Sequence, residues 1–445
     1  MAKQRHRSRK PLPEGVFEAT IEALTHEGQG VARIAGKALF VAGALPGERV
    51  RFRYTACHSQ YDEGETVELL VPSPERVTPR CAHFGVCGGC SLQHLAPAAQ
   101  IRFKQDWLLE NLARIGKVEP REVLAPLTAL HWGYRRKARL AVKYVPKKGR
   151  VLVGFRERST PFVADLARCE VLAPSVGTLL PALSRLIDEL SIRERVPQIE
   201  VAVGEDSVAL SFRVLTEPTA DDLERLRAFG REHGIQVYLQ PQGNDSTYLL
   251  WPERERLVYR LPRYALELAF KPYHFTQVNR EINLQMIDRA LELLALDGSE
   301  RVLDLFCGLG NFTLALARHA AHVVGVEGDS GLVEWARRNA ERNGIRNVEF
   351  HAADLAKDVA SQSWMQQRYD KILLDPPRSG AFEMIPHVAA LGARRVVYVS
   401  CHPATLARDA GELVYRHGYR LLKAGVMDMF PHTAHVESIA LFERR

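Results

Sequence analysis

Between residues 16 and 70, short β-prone runs at 16–21, 38–41, 49–54 and 65–70 alternate with glycine and proline turns such as Ala44-Leu45-Pro46-Gly47. Strands about ten residues apart predict a small all-β barrel. Pro72, Pro74 and Pro79 then mark a linker. Farther on, residues 139–145 alternate as a strand does, and Lys147-Lys148-Gly149 reads as a hairpin turn. Residues 218–234 have a helical pattern between strand-like segments at 199–214 and 235–250. From residue 300 a strand–helix alternation begins, with strands expected at 301–306, 322–327, 348–352, 371–374, 395–399, 420–427 and 438–442 and a helix over 403–417. Such alternation predicts an α/β doubly wound parallel sheet, whose ligands sit at the carboxyl ends of its strands. The last two strands are joined by a short loop and are expected as an antiparallel hairpin at one edge. No internal repeat is evident, and the boundaries fall at 1–14, 15–74, 75–274 and 275–445.

Composition narrows the class. Of 445 residues, 46% are hydrophobic and 25% charged, which excludes a globally disordered chain. No apolar run approaches the ~18 residues of a membrane span, and the basic N-terminus has no apolar segment behind it, so a cytoplasmic protein with no membrane partner is expected. The net charge of +7 is concentrated in two places. Lys3, Arg5, Arg7, Arg9 and Lys10 form a basic tail, read either as an arm on phosphates or as a solvated end. Residues 131–160 hold Arg135, Arg136, Lys137, Arg139, Lys143, Lys147, Lys148, Arg150, Arg156 and Arg158, with Glu157 the only acid. Trp132, Tyr134, Tyr144 and Phe155 lie among them. A basic, partly aromatic sheet face suits the phosphates and stacked bases of RNA; a solvated charged face is the bland reading.

Cys81-x5-Cys87-x2-Cys90 lies in a glycine-rich loop, and Cys169 is the leading fourth partner. Without an export signal these are metal ligands before they are disulfides. Four thiolates suit zinc or an iron–sulfur cluster. The uneven spacing lacks the paired Cys-x2-Cys knuckles of zinc ribbons, which favours iron–sulfur, and it lacks the triad spacing of radical enzymes.

The segment Asp304-Leu305-Phe306-Cys307-Gly308-Leu309-Gly310-Asn311-Phe312-Thr313 follows the first strand of the α/β region. It is not a dinucleotide fingerprint, since Thr313 occupies the third glycine position. Glu327 ends the next strand, roughly 20 residues on, where a carboxylate accepts ribose hydroxyls. Asp354 and Asp375 end the third and fourth strands. An acidic first turn with Gly-x-Gly suits the sulfonium and amine of S-adenosylmethionine better than a pyrophosphate.

Ser400-Cys401-His402-Pro403 ends the fifth strand, where a helix N-terminus is expected to stabilise a thiolate. Glu437 heads the last strand and can face the same rim. A thiol and a carboxylate beside a methyl donor answer one chemical problem. C5 of uracil is a poor nucleophile until a thiolate adds at C6, and a base must afterwards remove the C5 proton.

On these residues the chain resembles the bacterial RNA uracil-C5 methyltransferases, nearest to the iron–sulfur-containing branch acting on 23S ribosomal RNA. The likeness runs almost end to end. Residues 15–74 resemble the OB-like TRAM barrel, including Glu27-Gly28-Gln29-Gly30-Val31-Ala32. The resemblance implies a central α+β iron–sulfur and RNA-binding domain, then a class I Rossmann-like methyltransferase domain. It implies a [4Fe–4S] cluster on Cys81, Cys87, Cys90 and Cys169. Gln277, in Phe275-Thr276-Gln277, together with Phe306, Asn311, Glu327, Asp354 and Asp375, matches the donor contacts. Cys401 matches the nucleophile and Glu437 the base. It also implies that 97–116 is a helix packed on the methyltransferase domain, and Ile101, Trp107, Leu108, Leu112 and Ile115 fit an amphipathic pattern. His402 departs from the family's usual Asn, and Asp354 stands where Asn is also common. The expected partner is 23S rRNA, the substrate of a monomeric enzyme. The alternatives are the same chemistry on tRNA, whose enzymes generally lack the TRAM barrel and the cysteines, and a non-catalytic iron–sulfur RNA-binding factor, which intact Cys401 and Glu437 disfavour.

Overall fold

The computed structural model describes residues 12–255, 257–357 and 359–444. The basic tail through residue 11 therefore lies outside the described residues. The chain divides into two compact units, Met1–Arg102 with His432–His435, and Phe103–Pro431 with Val436–Arg445.

The first unit carries a six-stranded sheet. Its strands are β1 (Phe17–Thr20), β2 (Ala23–Leu24), β3 (Gly30–Ile34), β4 (Lys37–Ala42), β5 (Arg49–Cys57) and β6 (Tyr61–Val71), in the order β1-β5-β6-β4-β3-β2. Two of them, β2 and β3, have no counterpart among the strands expected from sequence. The sheet wraps a core of Ile21, Leu39, Val41, Val50 and Phe52. Glu48 is fully buried, yet it is satisfied by Arg76 (Nε to Oε1, 2.5 Å) and by the amides of Leu45 and Ser73. This pairing fastens the start of the linker to the sheet and holds the Glu48 carboxyl below its usual range despite its burial.

The second unit begins inside the helix Pro97–Asn111, which tightens into a π-helical turn at Leu112–Gly116. Gly116 is required there, because a Cβ would meet the carbonyl oxygen of Ala407 at 2.4 Å. The helix departs from the amphipathic pattern. Ile115 is exposed, whereas Lys104 is fully buried beside Leu108 and Leu112.

After β7 (Glu122–Val123) come β8 (Lys137–Val145), β9 (Arg150–Gly154), β10 (Gln198–Val203), β11 (Val208–Arg213), β12 (Ile235–Gln240) and β13 (Tyr248–Trp251). The last six form a sheet in the order β13-β12-β11-β10-β8-β9. The expected hairpin turn is present, with Gly149 at φ +63°. The expected helix runs Ala220–His233 behind a Thr219 capping box. A separate hairpin, β14 (Val258–Leu261) with β15 (Leu266–Ala269), precedes the helix Arg280–Leu294.

The α/β region is built from β16 (Arg301–Leu305), β17 (His322–Glu327), β18 (Val348–Ala352), β19 (Lys371–Leu374), β20 (Arg395–Ser400), β21 (Tyr419–Met427) and β22 (Glu437–Arg444). The first five are parallel, and the sheet order is β18-β17-β16-β19-β20-β22-β21-β7. The expected terminal hairpin is there: β22 runs antiparallel between β20 and β21, and β7 extends the edge. Val302, Leu303, Val323, Val324, Ile372, Leu373, Val396 and Val397 are buried on both faces, as parallel strands covered by helices must be. Among the described residues no helix is long and apolar enough to cross a membrane.

Candidate active site

The carboxyl ends of β16, β17, β19 and β20 carry the residues that the sequence singles out. After β16 the chain turns at Phe306, whose φ of +67° is a rare conformation for an aromatic residue and marks a functional turn. The amides of Phe306 and Cys307 donate to Val326 O, and the amide of Gly308 donates to Glu327 Oε2 at 3.1 Å. Glu327 thus braces the glycine loop while its other oxygen accepts from the amide of Asp329.

Inside this loop Asp304 is fully buried. Thr313 donates to its Oδ2 at 2.5 Å, while Oδ1 has no partner among the described residues. Burial pushes its carboxyl up to about 8, and Asp375 and Glu327 add to the rise. Asp375, one residue past β19, is pushed up to about 7 by burial. These are carboxyls that resist ionising together without a cation. A sulfonium–ammonium ligand supplies that charge, so the residues present fit S-adenosylmethionine.

Asn311 is held by a reciprocal amide pair with Asn283 (3.1 and 2.9 Å), and Tyr259 donates to its Oδ1 at 3.2 Å. Gln277, Asn283 and Tyr259 line one small cavity with Arg136, Thr276 and Arg280. No motif in the sequence marks Tyr259 or Asn283; their importance comes from bonding Asn311 across 52 and 28 residues. Asp354 is placed differently from the rest. It is exposed, accepts the amide of Ala356 at 3.1 Å and pairs with Lys357 at 3.0 Å, so its carboxylate serves its own turn.

Cys401 follows β20 and Glu437 opens β22. The register Ser400↔Ser438 sets them at the same end of adjacent strands. The thiol departs from the sequence expectation of a stabilised thiolate. Burial first, then Glu437 and Asp375, push it up to about 11, with Arg378 working in the opposite direction. Glu437 is itself raised well above the carboxylate range by burial and then by Asp375. The helix after the thiol, Pro403–His417, is capped by His402, whose side chain accepts the Thr405 amide at 3.4 Å. An Asn side chain caps a helix in the same way, which accounts physically for His in its place.

That helix also holds the loop after Asp375. Thr405 Oγ1 donates to Arg378 O at 3.2 Å, and Asp409 accepts from Ala381 N at 2.8 Å and Tyr398 OH at 2.7 Å. The Asp375 loop and Cys401 therefore share one rigid support.

One further expectation is changed by the structure. Within the basic segment, Arg136 pairs with Glu205, Arg139 with Glu200, and Lys148 and Arg150 with Asp165. The Lys137 ammonium is buried and is lowered to about 8 by that burial. Arg135–Lys137 is thus internal framework, not a solvent face. Among the described residues Lys143, Lys147, Arg156 and Arg158 form no ion pair, and the first three are exposed.

Cys81, Cys87 and Cys90 belong to the first unit and Cys169 to the second, and each is half-buried. Among the described residues no three His, Cys, Asp or Glu side chains converge as a metal-holding group. The loop's own hydrogen bonds set its shape: the Cys81 amide donates to Gln93 Oε1 at 3.1 Å, and the Gly89 amide donates to Cys87 Sγ at 3.4 Å. Four thiols have the right chemistry for iron.

Residues 164–445 match the family described as tRNA (Uracil-5-)-methyltransferase, and residues 15–67 match the TRAM domain. The chain is 60% identical over 440 residues to a protein of Alkalilimnicola ehrlichii named 23S rRNA (uracil(1939)-C(5))-methyltransferase RlmD, covering 98% of this chain and 99% of that one. It is 56% identical over 437 residues to the protein of the same name from Methylococcus capsulatus, again covering 98% and 99%. Among solved structures, the Pyrococcus abyssi tRNA (uracil-54, C5)-methyltransferase in complex with S-adenosyl-L-homocysteine superposes with a TM-score of 0.71 at 24% identity, covering 96% of this chain and 100% of that chain, a likeness of fold.

Proposed function

The chain belongs to the tRNA (uracil-5-)-methyltransferase family, and from that premise we propose that it methylates C5 of a uridine in 23S rRNA, with S-adenosylmethionine as donor. One observation carries the chemistry: a thiol and a carboxyl, Cys401 and Glu437, stand at the same end of neighbouring strands beside the acidic rim. The choice of 23S rRNA rests on the names of the full-length relatives.

In this reading Cys401 Sγ, once deprotonated, adds to C6 of the uracil. The electron pair of the C5–C6 bond moves onto the ring as an enolate, and C5 becomes nucleophilic. The donor supplies an electrophilic methyl group. Glu437 then takes the C5 proton, the C5–C6 double bond reforms, and the C6–S bond breaks to return Cys401. Phe306, Asn311, Glu327, Asp375 and Gln277 line the donor's place, with Asp354 at its rim. Asp304 and Asp375, both raised by burial, favour the entry of a cation.

The test is direct. RNA carrying 5-fluorouridine, mixed with donor and wild-type protein, gives a stable covalent complex, because fluorine does not leave as a proton does. Cys401→Ala abolishes it. A complex that persists in that variant overturns the assignment.

A [4Fe–4S] cluster on Cys81, Cys87, Cys90 and Cys169 belongs to the same proposal, and no step of the reaction passes through it. Its support is the four-cysteine donor set and an amide already aimed at one of the sulfurs. Anaerobically purified protein is expected to be brown and to carry about four irons, as a cuboidal cluster requires. Stoichiometric zinc without visible absorbance rejects it.

A further inference from the structure

Lys104 is the one residue of the helix Pro97–Asn111 whose placement contradicts its chemistry. Its side chain is fully buried, with Nζ donating to Asp428 Oδ1 at 2.6 Å and to Phe430 O at 3.0 Å. Asp428 is equally buried. A buried ion pair is a poor device for stability, since well-packed apolar residues of the same volume hold a helix at least as well. What a buried pair supplies instead is a fixed geometry, and the geometry fixed here is specific. Asp428 follows Met427, the last residue of β21, and Met427 is the register partner of Glu437. The same stretch is pinned twice more: the Asp428 amide donates to Leu127 O at 2.8 Å, and Tyr134 OH donates to Pro431 O at 3.0 Å.

We propose that Lys104 is a positioning residue for Glu437, acting through Asp428 and the end of β21. The inference rests on the reading of Glu437 as the base. In the step concerned, the C5–H bond breaks and the proton passes to a Glu437 carboxylate oxygen. The released pair forms C5=C6, and the C6–S bond breaks to leave the Cys401 thiolate. Cys401 is carried by β20, so attack does not depend on where β21 ends, whereas proton removal does. A displaced strand end therefore slows release and spares adduct formation.

The experiment uses the full-length protein, S-adenosylmethionine and an unmodified 23S rRNA fragment, and follows covalent protein–RNA complex by denaturing gel. The first variant is Lys104→Met with Asp428→Leu, which leaves no charge buried alone. The second is Tyr134→Phe, which removes one hydroxyl and no charge. The double variant is expected to bind donor and form adduct at near wild-type rates, but to release it at least about tenfold more slowly, as a misplacement on the order of an ångström does. Adduct then accumulates, as is also expected of the control Glu437→Gln. Tyr134→Phe shifts release in the same direction by a smaller factor. A double variant that releases at the wild-type rate overturns the proposal. So does one that loses formation and release in equal proportion, which marks a merely structural pair. If the double variant does not fold, unchanged release in Tyr134→Phe overturns it alone. A wild-type protein that never forms adduct on 5-fluorouridine RNA rejects the proposed function instead, so the two failures are distinct.

Discussion

The hydroxyl of Ser438 donates to the carbonyl oxygen of Ser400 at 3.0 Å, locking the antiparallel register of β22 against β20. One step beyond this pair in each strand stand Cys401 and Glu437, and a charge on Glu437 raises the energy of the Cys401 thiolate. The resting site thus holds its proton on sulfur, with the thiol up at about 11 and the Glu437 carboxyl raised as well.

A cation brought to the rim reverses this balance, because an opposite charge within a few ångströms favours ionisation. Alkylation of Cys401 by iodoacetamide is expected to be slow at pH 7.5 and to rise up to about pH 11, the thiol's own range. Sinefungin, which carries an added ammonium in place of the sulfonium, is expected to move that rise to lower pH, and S-adenosylhomocysteine, which lacks it, is not. Mass-spectrometric labelling rates across pH decide the matter. Equal effects of the two ligands show that the acidic rim does not sense the donor's charge.

Asp375 places function and stability in opposition. Its folded-state carboxyl is raised from 3.8 to about 7 by burial. Between those values the folded chain keeps a proton that the unfolded chain has lost. Stability therefore falls as pH rises through this window, and the loss is complete above about pH 7. Asp375→Asn removes that penalty. The variant is expected to gain roughly 1–4 kcal/mol over wild type at pH 8 and nothing below pH 4, at about 1.4 kcal/mol per pKa unit. Its donor affinity falls. Urea unfolding at pH 4 and pH 8 measures this, and an equal ΔΔG at both values rules out the carboxyl as the source.

Much of this site was legible in the sequence because strand ends are marked by abrupt changes in residue type. Glu327 ends its strand as expected, and Cys401 lies one residue past its own. The parallel strands were readable from buried apolar runs, and the helix after Cys401 has the expected bounds, Pro403–His417. What was illegible depends on partners far away in the chain. A pattern of hydrophobic spacing assigns Lys104 to a solvent face, and only Asp428, 324 residues on, explains its burial. Asn283 and Tyr259 matter through Asn311 and carry no local mark. A run of cations likewise does not announce which of them meet carboxylates. Glu200, Glu205 and Asp165 pair with four of the ten cations of the basic segment from outside it.

That sorting decides where RNA is held. A uracil inside folded rRNA must leave its stack to reach Cys401, at a cost of a few kcal/mol that contacts elsewhere must offset. Arg136, Arg139, Lys148 and Arg150 already have carboxylate partners, so a phosphate gains less from them. Lys143, Lys147, Arg156 and Arg158 have none among the described residues, and they sit on β8, on the turn and just after β9. Replacing these four with Ala is expected to weaken binding of a 23S fragment and to flatten its salt dependence by roughly one unit of slope for each phosphate no longer neutralised. Binding of S-adenosylmethionine alone stays as in wild type. Arg136→Ala acts otherwise: it leaves Glu205 short of a partner beside the Gln277 cavity and so affects folding or donor binding before it affects the salt slope. Titrations of both variants at 50 and 200 mM salt separate the cases. If the fourfold variant binds RNA with an unchanged slope, the hairpin is only a solvated face, and the cations of the first unit hold the RNA.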